Sequence, residues 1–185
     1  MQTARLDRFD AGVFLAWEAV QTEKHEYMAG EVFAMGGARR EHVLVAGSIY
    51  SALKLRLRGT PCQVYFADMK LRIDAVDAFF YPDVMVSCHP DDRRAEQFLS
   101  HPRLLVEVLS DSTAAFDRGG KFAAYRSLES LQEYIIVDID GRRIECFRRT
   151  AENEWLLHDY VGESECLIKS LELTIPLTEF FEDLQ

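Results

Sequence analysis

Apolar side chains recur at three- and four-residue steps in several parts of the chain, which is the spacing of one face of an α-helix. The longest such stretch covers residues 39–58 and ends at Gly59 and Pro61, residue types that commonly stop a helix. Shorter stretches predict helices in three other places: residues 11–20, residues 116–128 and the stretch LTEFFEDL near the end of the sequence.

Other stretches have the pattern of β-strands. Two short runs, residues 24–28 and 31–35, flank Gly30 and predict a hairpin. Three longer runs also predict strands: CQVYFADMKLRI, FFYPDVMVS and RLLVEVLS. The last two are apolar on both faces, as in the centre of a sheet. LQEYIIVDID predicts another buried strand. The runs RRIECFRR and EWLLHDYV predict a more exposed hairpin.

The order of these elements is helix, three strands, helix, strand, which predicts an α/β (α+β) fold. We expect a mixed central sheet flanked by helices, with an N-terminal hairpin and a C-terminal β-hairpin added to it. Neither a repeat nor a flexible linker divides the 185 residues, of which 48% are hydrophobic. We therefore expect a single domain over residues 1–185.

Composition limits the classes of function. A run of about 18 apolar residues is absent, so no membrane-spanning segment is expected. The first residues lack the apolar region and cleavage site of a secretory signal. The four cysteines contain no CxxC pair, so we expect reduced thiols in a cytoplasmic protein and no structural zinc. They are Cys62, Cys88, Cys146 and Cys166.

The net charge of −10 argues against a strongly basic nucleic-acid-binding surface. Basic clusters at residues 39–40, 54–58 and 142–149 are typical of solvated faces. The acidic excess does not exclude a metal-dependent nuclease, because a bound cation reverses the local charge.

The carboxylate of Glu107 lies in the middle of the apolar run RLLVEVLS. An unpaired buried carboxylate costs several kcal/mol, so this group needs a proton or a cation. The cation is either an arginine, such as Arg72 or Arg126, or a metal ion. Asp83 lies in the preceding apolar run, and two carboxylates on matching faces of neighbouring strands repel unless a counter-charge lies between them. Such hard oxygen ligands suit Mg²⁺ or Mn²⁺.

The predicted helix at 116–128 supplies a candidate cation. Asp117, Lys121 and Tyr125 are four residues apart and therefore share one face of a helix. The alternative is an ordinary surface ion pair, or a cap from Asp117. Gly119 and Gly120 are unfavourable inside a helix, by about 1 kcal/mol each relative to alanine. Close approach by another element would explain them.

These motifs together resemble the Uma-two family of endonucleases, within the PD-(D/E)XK restriction-endonuclease-like superfamily. The resemblance rests on a PD dipeptide on one strand, a carboxylate on the next and a lysine nearby. It covers roughly residues 24–140. The matching stretches are YMAGEVFAMGG, the helix around His42, YPDVMVS, LLVEVLSDST, DRGGKFAAYR and LQEYIIVD. The ordered set is more specific than PD alone. It implies an α-β-β-β-α-β core.

The resemblance also implies a set of site residues. Asp83 and Glu107 correspond to the metal-binding acids, and we add the main-chain carbonyl of Val108 as a third metal ligand. Leu109 stands where the superfamily has a lysine, and the resemblance implies that the helical Lys121 takes its place.

Glu31 and His42 occupy positions at which the family also has polar residues, so we carry both over as candidate catalytic residues. Taken alone, Glu31 is typical of a surface charge on a hairpin, and His42 of a packed or solvated helical residue.

The implied function is hydrolysis of DNA phosphodiester bonds with Mg²⁺ or Mn²⁺. Two other functions remain open. One is a catalytically inactive nucleic-acid-binding module, which Leu109 favours. The other is a homo-oligomeric interaction protein in which an arginine neutralises Glu107. We expect a homo-oligomer, a dimer. A surface containing Phe79, Phe80, Phe180 and Phe181 is one candidate interface, although core packing is the commoner use of such residues.

Overall fold

The computed structural model describes residues 3–5, 10–110, 113–162 and 164–184, and for residues 3–5 only the main chain. Asp111 and Ser112 of the motif LLVEVLSDST lie outside the described residues. Each predicted helix is found near its predicted position. The helical segments are α1 (Ala11–Glu18), α2 (Arg40–Arg56), α3 (Ala114–Phe116), a π-helical turn (Asp117–Lys121), α4 (Phe122–Tyr125) and α5 (Leu177–Phe180).

A mixed six-stranded sheet forms the centre of the described part of the molecule. In spatial order the strands are β12 (Trp155–Val161), β11 (Arg143–Arg149), β10 (Glu133–Asp138), β9 (Leu104–Val108), β7 (Val84–Ser87) and β4 (Gln63–Phe66). β9 and β10 are parallel, and the other neighbouring pairs are antiparallel. Along the chain, α2, β4, β7, β9, α4 and β10 occur in the predicted α-β-β-β-α-β order.

The predicted N-terminal hairpin belongs to a second mixed six-stranded sheet of the described residues. Its two-residue turn has positive φ at both Ala29 (50°) and Gly30 (88°), as a type I′ turn requires. In spatial order the strands are β1 (Thr3–Arg5), β3 (Glu31–Ala34), β2 (His25–Met28), β6 (Ala78–Phe80), β5 (Lys70–Ile73) and β8 (Phe98–Leu99). A separate hairpin pairs β13 (Glu165–Ile168) with β14 (Leu173–Pro176).

Two of the predicted strands are each divided between the two sheets. The run at residues 62–73 breaks after β4, where Ala67 has a φ of 51°, and continues as β5. The run at residues 79–87 breaks at Pro82, which has no main-chain N–H to donate, and continues as β7. The predicted single strands were therefore wrong in extent, because a near-continuous apolar pattern does not reveal a change of sheet.

Each face of the central sheet covers a different apolar core. One core contains Val84 and Val106 together with the buried face of α2 and the C-terminal residues Phe180 and Phe181. The other contains Met85 and Leu105 together with α4 and strands of the second sheet. Adjacent residues of one strand thus enter different cores, as the alternation of side chains requires.

Two expectations are corrected by this packing. Phe79, Phe80, Phe180 and Phe181 are at most 6% exposed, so they do not form an aromatic surface for a dimer. The expectation of reduced thiols was wrong for Cys62 and Cys88, which form a disulfide, whereas Cys146 and Cys166 are buried free thiols. The disulfide forms because β4 and β7 pair Gln63 with Ser87 at their ends. This pairing brings Cys62, the residue before β4, next to Cys88, the residue after β7. None of the described helices is both long and apolar enough to cross a membrane.

Candidate active site

Asp83 lies beside Val108, the residue after Glu107, where β7 and β9 pair. These strands are antiparallel and pair Val84 with Val106, and Asp83 is the residue just before β7. The main-chain N–H of Val108 donates a hydrogen bond of 2.7 Å to Oδ2 of Asp83, which ties Asp83 to the residue that follows Glu107. The charge of Asp83 accordingly contributes to the raised pKa of Glu107. The two acids therefore lie close enough for their charges to interact, and their sharing of a metal ion stays a prediction.

His42 lies in the first turn of α2, against Asp83 and Val108. Its Nε2 is 3.2 Å from Oδ2 of Asp83, and the same carboxylate oxygen accepts a hydrogen bond of 2.7 Å from the main-chain N–H of Val108. Burial by itself lowers the pKa of His42, but the hydrogen bond and charge of Asp83, with a hydrogen bond to the Val108 main chain, outweigh it, so the pKa is raised. Three predicted site residues are thus linked by direct contacts.

The ammonium group of Lys121 lies among three buried carboxylates. Its Nζ is 3.0 Å from Oε1 of Glu26, 3.1 Å from Oε1 of Glu107 and 3.5 Å from Oδ1 of Asp117. The Lys121 side chain is 6% exposed, and the three acids are at most 7% exposed. Burial lowers the pKa of Lys121, but the charges of Glu107, Glu26 and Asp117 together raise it well above the usual value.

Glu107 accepts a second hydrogen bond from the hydroxyl of Tyr125, at 2.6 Å. Burial raises the pKa of Glu107; Lys121 opposes this, while Asp83, Asp117 and Glu26 add to it, and the pKa lies well above the usual value. The predicted helical face of Asp117, Lys121 and Tyr125 therefore does converge on Glu107, and the alternative of a surface ion pair is excluded by its burial.

The π-helical turn that carries Lys121 explains one of the two glycines. A Cβ on Gly120 would lie 2.4 Å from Cε2 of Phe116, whereas a Cβ on Gly119 would have no atom within 4 Å. The close approach comes from the same helical segment and not, as expected, from another element. π-helical turns occur frequently at functional sites, which fits the position of this one.

The arginine alternatives for Glu107 are not realised. Arg72 pairs with Asp74 and lies over the rings of Phe79 and Phe98, and Arg126 lies over the ring of Phe122. Among the residues that the structure describes, the cation that contacts Glu107 is Lys121.

Glu26 is a site residue that the sequence analysis did not identify. It lies on β2 opposite Phe33, whose ring packs against Phe116, and it is the hairpin carboxylate that the structure brings to Lys121. Glu31 lies on the same hairpin, opposite Met28. The spacing within the hairpin does not distinguish Glu26 from Glu31, because the partner Lys121 lies in a distant segment of the chain.

The site contains oxygen atoms of the chemical type that binds a hard divalent cation. Asp83, Glu107 and the Val108 carbonyl supply oxygen atoms, which Mg²⁺ and Mn²⁺ prefer. Glu26, Glu107 and Asp117 outnumber the single ammonium group of Lys121, and among the described residues Oδ1 of Asp117 is buried with the 3.5 Å ion pair to Lys121 and no hydrogen bond. The side chains are not already arranged as a complete metal site: no group of three or more His, Cys, Asp or Glu side chains within the described ranges is placed to hold a metal ion.

Comparisons with known proteins agree with this architecture. The Uma2 family model, described as "Putative restriction endonuclease", matches residues 12–179. Two proteins of Synechocystis are similar to the chain: "Uncharacterized protein slr1290" is 35% identical, covering 92% of this chain and 90% of its own length, and "Uncharacterized protein sll1609" is 33% identical, covering 83% and 88%.

A solved structure shows the same fold. The crystal structure of "a putative nuclease belonging to DUF820" from Anabaena variabilis superposes with a TM-score of 0.80, covering 96% of this chain and 100% of the other, at 14% identity.

Proposed function

The chain belongs to the Uma2 family, and from that membership we propose that it is an endonuclease that hydrolyses DNA phosphodiester bonds with Mg²⁺ or Mn²⁺. The observation that carries the proposal is the hydrogen bond that ties Asp83 to Val108, the residue after Glu107, together with the contact of Lys121 with Glu107. Metal-assisted phosphodiester hydrolysis uses acidic side chains that bind the metal ion, and a nearby lysine can stabilise the charge that develops.

Asp83, Glu107 and the Val108 carbonyl are the residues we assign to the metal ion. When bound, the ion polarises the phosphate and lowers the pKa of a bound water molecule. The hydrogen bond from the Val108 N–H fixes the carboxylate of Asp83, in the turn before β7, relative to β9, which carries Glu107 and Val108.

Lys121 and His42 are the cations that face the substrate in this proposal. The ammonium group of Lys121 stabilises negative charge on the reacting phosphate, which is where charge develops during hydrolysis. His42 carries a proton more readily than an ordinary histidine because its pKa is raised, and it contacts a substrate phosphate. Glu31 orients water or holds a second metal ion.

The experiment is cleavage of supercoiled and linear DNA by the purified protein, with Mg²⁺, with Mn²⁺ and with a chelator. We expect metal-dependent cleavage that Glu107→Gln and Asp83→Asn abolish. The exposed Glu165 on β13 provides a matched control, and Glu165→Gln should cleave at the wild-type rate. An inactive wild type, or a Glu107→Gln variant that cleaves at the wild-type rate, would contradict the proposal.

A catalytically inactive nucleic-acid-binding module is the second candidate. It is favoured by Leu109, an apolar residue that packs against the second core at the position where the superfamily has a lysine. Titration with Mn²⁺ separates the two functions, because a binding module has no need of a metal ion. An interaction protein with Glu107 neutralised by an arginine is not supported, since Lys121 is the contacting cation.

The proposal includes a single domain over residues 1–185, a cytoplasmic location and a homodimer. The cytoplasmic location was first expected from reduced thiols, and the Cys62–Cys88 disulfide removes that reason. The location is now proposed because the protein needs access to DNA. Light scattering of the purified protein tests the dimer. Peptide mapping of the protein alkylated in intact cells reveals whether Cys62 and Cys88 are oxidised there.

A further inference from the structure

We infer that Glu26 is a positioning residue, which holds the ammonium group of Lys121 in place beside Glu107. The inference rests on the proposed function. It assigns a role in that site to a residue of the second sheet, whereas Asp83 and Glu107 both belong to the central sheet and its adjoining turn.

A single oxygen atom of Glu26 joins two parts of the site. Oε1 of Glu26 is 3.0 Å from Nζ of Lys121 and accepts a hydrogen bond of 3.2 Å from the main-chain N–H of Tyr81. Tyr81 lies two residues before Asp83, in the turn between β6 and β7. Glu26 therefore fixes Lys121 relative to the same turn that carries the first metal-binding acid.

The need for such a residue follows from the charges. A buried ammonium group is stable only when carboxylates surround it closely, because it has lost its hydration. If Glu107 turns one oxygen atom toward a divalent cation, its attraction for Lys121 weakens. Glu26 and Asp117 then remain as the acids that keep Lys121 in the site.

The position of Glu26 is itself well determined. It pairs with Phe33 across the hairpin, and the ring of Phe33 packs 6.3 Å, centroid to centroid, from that of Phe116, just before the π-helical turn. The hairpin is thus anchored against the helical segment that carries Lys121, so the main chain at Glu26 cannot move away from Lys121 without breaking an aromatic contact.

The test compares Glu26→Gln with Glu18→Gln. Glu18 is a matched control because it is also buried and also contacts Tyr81, through the hydroxyl at 3.0 Å, but it makes its other contacts with His25. Each variant is assayed for DNA cleavage, for Mn²⁺ binding by calorimetry, and for the rate at which an amine-specific reagent modifies Lys121, followed by peptide mass spectrometry.

For Glu26→Gln we expect kcat to fall about 10- to 100-fold, the usual cost of losing a group that orients a site residue, with KM and Mn²⁺ affinity nearly unchanged. Modification of Lys121 should become several-fold faster, since its ammonium group is released. Glu18→Gln should match the wild type in the modification rate. If Glu26→Gln does not fold, Glu26→Asp retains the charge, shortens its reach and should give the same changes in weaker form.

Two results would overturn the inference. One is a Glu26→Gln variant with wild-type kcat and wild-type modification of Lys121. The other is a large loss of Mn²⁺ affinity without faster modification, which would make Glu26 a metal ligand. The modification assay needs no catalysis, so an inactive wild type would count against the proposed nuclease and leave the role of Glu26 to be decided by the reactivity of Lys121.

Discussion

The main-chain N–H of Val108 donates a hydrogen bond of 2.7 Å to Oδ2 of Asp83. This bond joins the turn before β7 to the residue that follows Glu107 on β9. It gives Asp83 a structural role as well as the proposed role in metal binding, and suitable substitutions separate the two.

Asp83→Asn and Asp83→Ala are predicted to differ in stability but not in metal binding. Asparagine retains an oxygen acceptor for Val108, whereas alanine leaves that N–H unpaired, which costs about 1–3 kcal/mol. Both variants lose the charge and should not bind Mn²⁺ measurably. Urea unfolding and calorimetry give the two quantities. Equal destabilisation by both variants would indicate that the Val108 hydrogen bond does not contribute.

Lys121→Met is predicted to destabilise the protein by about 3–5 kcal/mol, because it leaves buried carboxylates without their cation. Divalent cations should restore part of that stability by replacing the lost charge. Chemical unfolding with and without Mn²⁺ measures both effects. The exposed Lys169 is the control, and Lys169→Met should change stability by less than about 0.5 kcal/mol.

The contact between His42 and Asp83 is predicted to depend on pH. The pKa of His42 is raised in the folded protein, so the contact contributes its full stability below the unfolded value of about 6.5 and loses it as the pH rises through the folded value. The stability difference between wild type and His42→Gln should therefore shrink as the pH rises from about 5.5, below the unfolded value, through the raised folded value.

His158 provides a control of opposite sign, because burial and the charge of Arg148 lower its pKa. For His158→Gln the difference from wild type should not shrink over the same range. A pH-independent difference for His42→Gln would show that the histidine does not carry its charge against Asp83.

The two adjacent glycines are predicted to respond in opposite directions to substitution by alanine. Gly120→Ala brings a Cβ 2.4 Å from the ring of Phe116 and should cost about 1–3 kcal/mol. Gly119→Ala enters open space and should be neutral or stabilising by up to about 1 kcal/mol. Thermal unfolding distinguishes them. Phe116→Leu should relieve the cost of Gly120→Ala, and failure to do so would assign that cost to the π-helical turn itself.

Reduction of the Cys62–Cys88 bond is predicted to lower stability by about 3.5 kcal/mol, because the bond closes a loop 26 residues apart in sequence. Urea unfolding with and without dithiothreitol measures the change. The double variant Cys62→Ser/Cys88→Ser should be as unstable as the reduced protein and insensitive to the reductant. A wild type insensitive to dithiothreitol would mean that the thiols are not joined in solution.

Periodicity predicted the elements around the site correctly. The long helix that presents His42, the strand of Glu107 and the shared face of Lys121 and Tyr125 all follow from spacing, because packing of apolar side chains determines where those elements lie. Placing Asp83 near Glu107 required one further condition, that β7 and β9 are neighbours, and these two strands do pair.

The remaining features depend on contacts between distant segments. Glu26 lies 95 residues before Lys121, and the spacing of residues within one hairpin cannot reveal such a partner. The division of residues 62–73 and 79–87 between two sheets was missed for the same reason. The disulfide depends on the register of β4 and β7, which the cysteine spacing alone does not define.

The π-helical turn makes the site sensitive to chain length as well as to residue type. Each residue of an ordinary helix rotates the following side chains by about 100° about the axis. Loss of one residue from DRGGK would therefore turn either Lys121 away from its carboxylates or Tyr125 away from Glu107. Deletions in this segment should be far less tolerable than substitutions, which makes segment length a feature by which related chains can be compared.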